Sequence, residues 1–152
     1  MARKTGPSSL ESHLGYWIRY VSNHVSHAFS LKLAARGVTA AEWVVLRELY
    51  DSESAPSGLA DRLGMTRGAI SKLADRLIAK ELIVRRTNGR DRRFQSLALT
   101  RHGRAITPKL AALADENDAE FFADLDIETR TMIAAAMKAI VRRKALRGAP
   151  LD

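Results

Sequence analysis

The chain contains no cysteine, which removes disulfides, thiolate metal sites and thiol-based redox sensing from consideration. It also lacks any apolar run long enough to cross a membrane. Met1-Ala2-Arg3-Lys4 leads into Thr5-Gly6-Pro7-Ser8 rather than an apolar stretch, so no signal peptide is predicted and the expected location is the cytoplasm. There is no Gly-rich phosphate loop, no nucleophile elbow and no pair of catalytic carboxylates. The histidines, His13, His24, His27 and His102, stand in no acid/base or nucleophile motif, so the reading is not an enzyme. No repeat or low-complexity tract interrupts the chain. Acidic residues are in deficit: 17 Asp and Glu face 25 Lys and Arg, for a net charge of +8 and a pI near 10.3. Such an excess suits a polyanion binder, which gains counterion release from it. At 152 residues the chain fits one domain with a core of its own.

The chain is organised around the stretch Thr66 to Lys80. Its apolar residues fall at Ile70, Leu73, Ala74 and Leu77, a helical stripe. The other side carries Arg67, Ser71, Lys72, Arg76 and Lys80, basic and hydroxylic. Thr66 is placed as N-cap. Just before it, Leu59-Ala60-Asp61-Arg62-Leu63 forms a second short helical pattern, separated by Gly64-Met65. Ala60 is small where the two helices would cross, Gly64 can take a positive φ in the turn, and Ile70 would lock the second helix onto the first. Two short helices, a tight turn and a basic outer face read as helix-turn-helix, the alternative being an ordinary helical hairpin with a solvated basic face.

Around this unit the pattern is mostly helical. Ser8 and Glu11 have capping-box spacing, and Leu10, Leu14, Trp17, Ile18, Val21, Val25, Ala28 and Phe29 continue as a stripe to Gly37. A helix from Ser9 to about Ala35 would run roughly 40 Å, too long for one small domain to cover, so a partner chain is expected along it. Thr39 and Glu42 repeat the capping box, with Val38 placed to staple onto Trp43, and Pro56 suits a first helical turn. After Lys80 the period changes. Leu82-Ile83-Val84 and Phe94-Gln95-Ser96-Leu97-Ala98-Leu99 read as strands joined at the Asn88-Gly89 turn. Arg85, Arg86, Arg90, Arg92 and Arg93 face only Asp91 within this hairpin, an imbalance that predicts an anion beside it. Thr100 can cap a fifth helix carrying Ile106, Leu110, Leu113 and Ala114, with a bend expected near Pro108. Asp126 can cap a sixth, with Ile133, Ala136, Met137, Ile140 and Val141 expected inward.

The order helix, helix, helix-turn-helix, wing, helix, helix resembles the MarR (multiple antibiotic resistance regulator) family of winged-helix transcription factors. The resemblance rests on Thr39-Ala40-Ala41-Glu42-Trp43, on Leu59 to Thr66, and on Ile70-Ser71-Lys72-Leu73 through Arg76-Leu77. Asp91-Arg92-Arg93 and Leu99-Thr100-x-x-Gly103 complete it. It implies a mainly α fold with a small β-hairpin, one domain over residues 1–152. About 8–36 and 101–147 would form dimerisation helices, and about 38–100 the winged helix-turn-helix lobe. It further implies a homodimer on a palindromic operator in double-stranded DNA, most readily as a repressor. One departure is Glu81, where the family usually has Gly. Either Glu81 tolerates a positive φ at about 1 kcal/mol, or the helix ends differently.

On that reading the recognition helix enters the major groove. Arg67 and Lys72 can reach guanine acceptors, Thr66 and Ser71 phosphates or base edges, and Arg76 lies on the same face. Gly68 and Ala69 let the backbone approach, and an Ala methyl can touch thymine methyls. Arg90, Arg92 and Arg93 would enter the flanking minor groove, with Asp91 as a brace that keeps the wing in shape. Members of the family commonly hold anionic aromatic ligands between the dimer helices and the DNA-binding lobe. Here His13, Tyr16, Trp17, Tyr20 and Trp43 could line such a site, or serve as core and dimer contact. Regulation without a ligand, and metal-responsive regulation through His24-x-x-His27, are the alternatives. No cofactor, resident metal or membrane partner is expected.

Overall fold

The computed structural model describes residues 6–88 and 91–148, the side chains of residues 88 and 91–94 excepted. Among the described residues, six helices and one hairpin follow the chain. The helices are α1 (Leu14–Ala34), α2 (Ala40–Asp51), α3 (Pro56–Leu63), α4 (Arg67–Ala79), α5 (Arg101–Phe122) and α6 (Ile127–Arg143). Strands β1 (Ile83–Asn88) and β2 (Asp91–Leu99) lie between α4 and α5 and pair antiparallel, with Ile83 opposite Leu99 and Thr87 opposite Gln95. The fold is therefore mainly α with a winged helix-turn-helix lobe.

Local capping places most helix starts. Thr39 accepts from the Glu42 amide at 3.2 Å while the Glu42 carboxylate accepts from the Thr39 amide at 3.0 Å, closing the box. Thr66, Thr100 and Asp126 cap α4, α5 and α6 in the same i to i+3 manner. The Ser8–Glu11 box does not form. Leu10–Ser12 is instead a 3₁₀ turn, and α1 begins at Leu14 without a side-chain cap. Local side chains take the groups a longer helix would need: the Ser12 hydroxyl donates to the Ser9 carbonyl, and the Trp17 indole donates to the Glu11 carbonyl at 2.9 Å. The bend expected at Pro108 is not a break, since α5 runs through it.

Four helices end alike. At α1, α3, α4 and α6 a residue with positive φ follows the last turn: Gly37, Gly64, Glu81 and Ala145. In each case two amides turn back to the helix carbonyls, as when Glu81 donates to Ile78 and Leu82 to Leu77, both at 2.9 Å. This is the Schellman arrangement, which favours glycine at the positive-φ position. Glu81 has φ 58° and therefore keeps the helix end that the family's glycine would give.

One core lies inside the lobe. It joins Leu46 and Leu49 of α2, Leu59 and Leu63 of α3, the whole stripe Ile70, Leu73, Ala74 and Leu77 of α4, and Leu97 and Leu99 of β2. Leu33 of α1 and Leu110 of α5 seal its other side. Gly103 sits where any Cβ would run into the Leu82 carbonyl, so α5 can approach the start of the wing only with glycine there. A polar network ties α5 to α1: Lys32 Nζ donates to Asn117 and Glu120, and Asn117 donates to the Val25 carbonyl.

Outside the lobe the apolar stripes stand uncovered. Leu10, Leu14, Trp17, Ile18 and Val21 are exposed, and α6 buries no residue. The expected inward set of α6 is thus corrected: Ile133 and Val141 are each 47% exposed, because a single chain provides nothing to pack on them.

Candidate nucleic-acid interface

The apolar stripe of α4 is buried against α2 and α3, and this fixes which face looks outward. Thr66, Arg67, Gly68, Ser71, Lys72 and Arg76 are all exposed, and Ala69 is half-buried. Positions 67, 68, 71, 72, 75 and 76 fall together on a 3.6-residue period, so these side chains share one surface. Thr66 accepts from the Ala69 amide at 3.1 Å, so its hydroxyl is already engaged in capping. Arg67, Lys72 and Arg76 form no ion pair among the described residues.

Lys80 does not belong to that face. Its ammonium donates to the Gly37 carbonyl and to the Glu42 carboxylate, both at 2.7 Å, and Glu42 is 1% exposed. Glu42 therefore serves as cap partner and as counter-ion at once, and Lys80 ties the end of α4 to the α1–α2 junction.

The hairpin's charge imbalance is also smaller than its own sequence suggests. Arg85 pairs with Asp75 of α4 at 2.7 Å, and Arg86 pairs with Glu53 of the α2–α3 link at 3.2 Å. Asp75 lies on the outer face of α4, so the one acid there is spent on the wing. The link contributes backbone as well: Ser54 bridges Leu97, donating at 3.1 Å and accepting at 2.8 Å. Asp75, Glu53 and Ser54 are the positioning residues missed by sequence reasoning, as is the ion pair between Glu42, read there only as a cap partner, and Lys80, read there as part of the basic face. A lone acid on a basic face was the one signal that marked Asp75. Gly89 and Arg90 lie outside the described residues, as do the side chains of Asp91, Arg92 and Arg93. Backbone pairing continues to Asn88 opposite Asp91, with a register shift at Thr87/Asn88.

The aromatic candidates divide. Tyr16, Trp17 and Tyr20 form a continuous strip on α1, with ring centroids 5.2–6.5 Å apart. His24 stacks on Tyr20 at 5.0 Å and bonds through Nδ1 to the Tyr20 carbonyl. His13 is occupied at the head of α1 by Ser8 and Ser9. Trp43 is not part of this wall: it meets Phe29 edge-on at 6.3 Å against the core. That is nine residues further along α1 than Tyr20, about 13 Å at 1.5 Å per residue. A separate cleft of about 290 Å³ opens between α2 and α5, lined by Arg47, Tyr50, Asp51, Thr107, Pro108 and Ala111 among others. Arg47 and Arg104 both stand over the Tyr50 ring, at 6.0 and 5.2 Å.

Residues 36–93 match the sequence model of the MarR family. The HTH-type transcriptional repressor YetL of Bacillus subtilis is 30% identical over 88 residues, which cover 56% of this chain and 53% of YetL; the match thus spans about half of that relative. A mutant MarR from E. coli complexed with operator DNA superposes with a TM-score of 0.75 at 25% identity, over 84% of this chain and 93% of that one. Bordetella bronchiseptica BpsR, whose DNA binding is regulated by 6-hydroxynicotinic acid, superposes with a TM-score of 0.77 at 22% identity, covering 89% and 97%. Helix-turn-helix, wing and flanking helices thus follow one another as in the winged helix-turn-helix regulators of the MarR family, whose sequence model residues 36–93 match.

Proposed function

We propose that this chain is a sequence-specific DNA-binding regulator, acting as a homodimer on a palindromic operator and repressing transcription until a small effector lowers its DNA affinity. The observation that carries the DNA reading is the outer face of α4. Its stripe Ile70, Leu73, Ala74 and Leu77 is wholly buried, which leaves Arg67, Ser71 and Lys72 presented together on a helix held rigidly by its neighbours. A helix so held fits a major groove, where Arg and Lys read guanine and phosphate contacts set the register. The Arg85–Asp75 pair supports the wing beside it, from which Arg90, Arg92 and Arg93 would reach the minor groove, braced by Asp91.

The dimer reading is supported by exposed apolar residues at the two ends of the chain, Leu10, Leu14, Trp17 and Ile18 on one side and Ile127, Met132 and Ile133 on the other. A second copy packed along these helices would cover them. About 8–36 and 101–147 would then be the dimerisation segments, with the lobe over about 38–100. Effector control is supported by the Tyr16–Trp17–Tyr20 strip, open on the side a second chain would close, and by the cleft between α2 and α5 beside Tyr50. The flat rings of the strip suit a planar aromatic ligand.

Selection of bound duplexes from a random pool tests the DNA reading. A palindromic consensus bound in the nanomolar range is the expected result; retention of unrelated sequences in equal proportion would overturn sequence-specific binding. Light scattering in the same buffer tests the dimer, and a folded monomer at micromolar concentration would overturn it. Titrating planar aromatic acids into the complex with the selected duplex tests effector control, expected as release of the DNA.

A further inference from the structure

Residues 144–148, which follow α6, turn back toward the lobe. Ala145 takes φ 47°, and the Leu146 amide turns back to the Val141 carbonyl at 3.0 Å, which redirects the chain. It then lies on the turn between α3 and α4. A Cβ on Gly64 would run into the backbone nitrogen and Cα of Gly148, and one on Gly148 would stand 3.3 Å from the Gly64 carbonyl oxygen. Leu146, Arg147 and Gly148 face Ala60, Asp61 and Met65 across this contact. Gly64 therefore meets two requirements, a positive φ for the turn and the closeness of a second backbone.

The segment is strongly basic. Residues 138–148 contain Lys138, Arg142, Arg143, Lys144 and Arg147 and no acid. Arg142, Arg143, Lys144 and Arg147 are exposed and form no ion pair among the described residues. Asp61 lines the same cleft as Arg147 without pairing to it. Three Cα steps lead from Gly64 to Arg67, at most about 11 Å of chain at about 3.8 Å per step. The tail thus brings its charge to the N-terminal end of the recognition helix, where favourable contacts to a phosphate backbone are made by arginine.

We propose that the segment 142–148 is a second DNA-contacting element, in which Arg147 and the basic end of α6 hold phosphates beside the start of α4. It rests on the DNA reading above and adds to it a part of the chain outside the winged lobe. Its specificity is for the backbone, not the bases, so it raises affinity for every sequence alike.

The test uses the full chain and its own selected duplex, with anisotropy titrations across a potassium chloride series. Arg147→Ala should weaken binding several-fold and lower the log–log salt slope by about 0.9 for each phosphate that is no longer neutralised. Arg147→Lys should keep the slope. An unchanged slope in Arg147→Ala overturns the proposal, whether or not affinity falls, because a tail that merely props the turn would leave counterion release untouched. The quadruple change of Arg142, Arg143, Lys144 and Arg147 to Ala, checked for native circular dichroism and for wild-type mass by light scattering, must lower the slope further; equality with wild type also overturns it. If the wild-type chain binds no duplex at all, the DNA reading itself fails, an outcome distinct from either.

Discussion

Glu81→Gly should make this protein more stable, although it removes a side chain and adds a flexible residue. Glu81 follows α4 with φ 58°, a region that costs an L-residue about 1–2 kcal/mol. Glycine adopts it freely, while its extra freedom in the unfolded chain costs about 0.5–1 kcal/mol. The bonds that matter are all backbone: Glu81 to Ile78, Leu82 to Leu77, and the Glu81 carbonyl accepting from the Thr100 hydroxyl at 2.7 Å. Glycine keeps every one of them. The exposed carboxylate has no partner among the described residues. The balance is a gain of about 0.5–1 kcal/mol, or about 1–4 °C in Tm for a chain of this size.

Urea unfolding followed by Trp fluorescence reads the change as a higher midpoint at constant m. Glu81→Ala is the necessary comparison, because it removes the same charge and retains the strain. If Glu81→Ala stabilises as much as Glu81→Gly, the gain is electrostatic and the conformational argument fails. If Glu81→Gly is neutral or destabilising, the positive φ is not costly at this site and the reasoning is refuted outright.

Lys80→Met should destabilise by about 1–3 kcal/mol, since it leaves the buried Glu42 carboxylate without its ammonium; denaturation at neutral pH measures this, and a neutral result would show that the Thr39 amide suffices. Lys72→Ala should cost about 1–3 kcal/mol on the selected operator and relax its sequence preference, read by competition with single-base variants. Asp126→Ala should lower Tm at neutral pH. The bonds from the Thr129 amide and then its hydroxyl hold the Asp126 carboxyl below its ordinary value, so its contribution is present at higher pH and fades as pH falls through that lowered value. The gap between Asp126→Ala and wild type should therefore close in acid; a gap that persists there would show that the cap acts without its charge.

What the sequence disclosed here was decided by range along the chain. Capping at Thr39, Thr66, Thr100 and Asp126 spans three residues, and each cap forms where the spacing places it, because both partners lie within one helical turn. The exception at Ser8–Glu11 failed on equally local grounds, in a competition among neighbouring hydroxyls and the Trp17 indole that spacing does not rank. The buried stripe of α4 was legible for a related reason: periodicity reports a face, and only one face of α4 is apolar.

The charges were a different matter. Lys80 looks like one more cation on the recognition helix until α4 is packed, at which point Glu42, 38 residues earlier, lies within 2.7 Å. Arg86 and Glu53 are 33 residues apart, and nothing in either neighbourhood announces the other. A charge run shows which residues must find water, a counter-ion or a polyanion; packing chooses among them. In this lobe packing gives Lys80, Arg85 and Arg86 acidic partners, and it brings the segment of Arg147, which sequence order places 80 residues away from Arg67, to the turn before α4. The net charge of +8 is thus a poor guide to the interface. The better guide is which cations remain without an acidic partner on the end of the lobe where α4 begins.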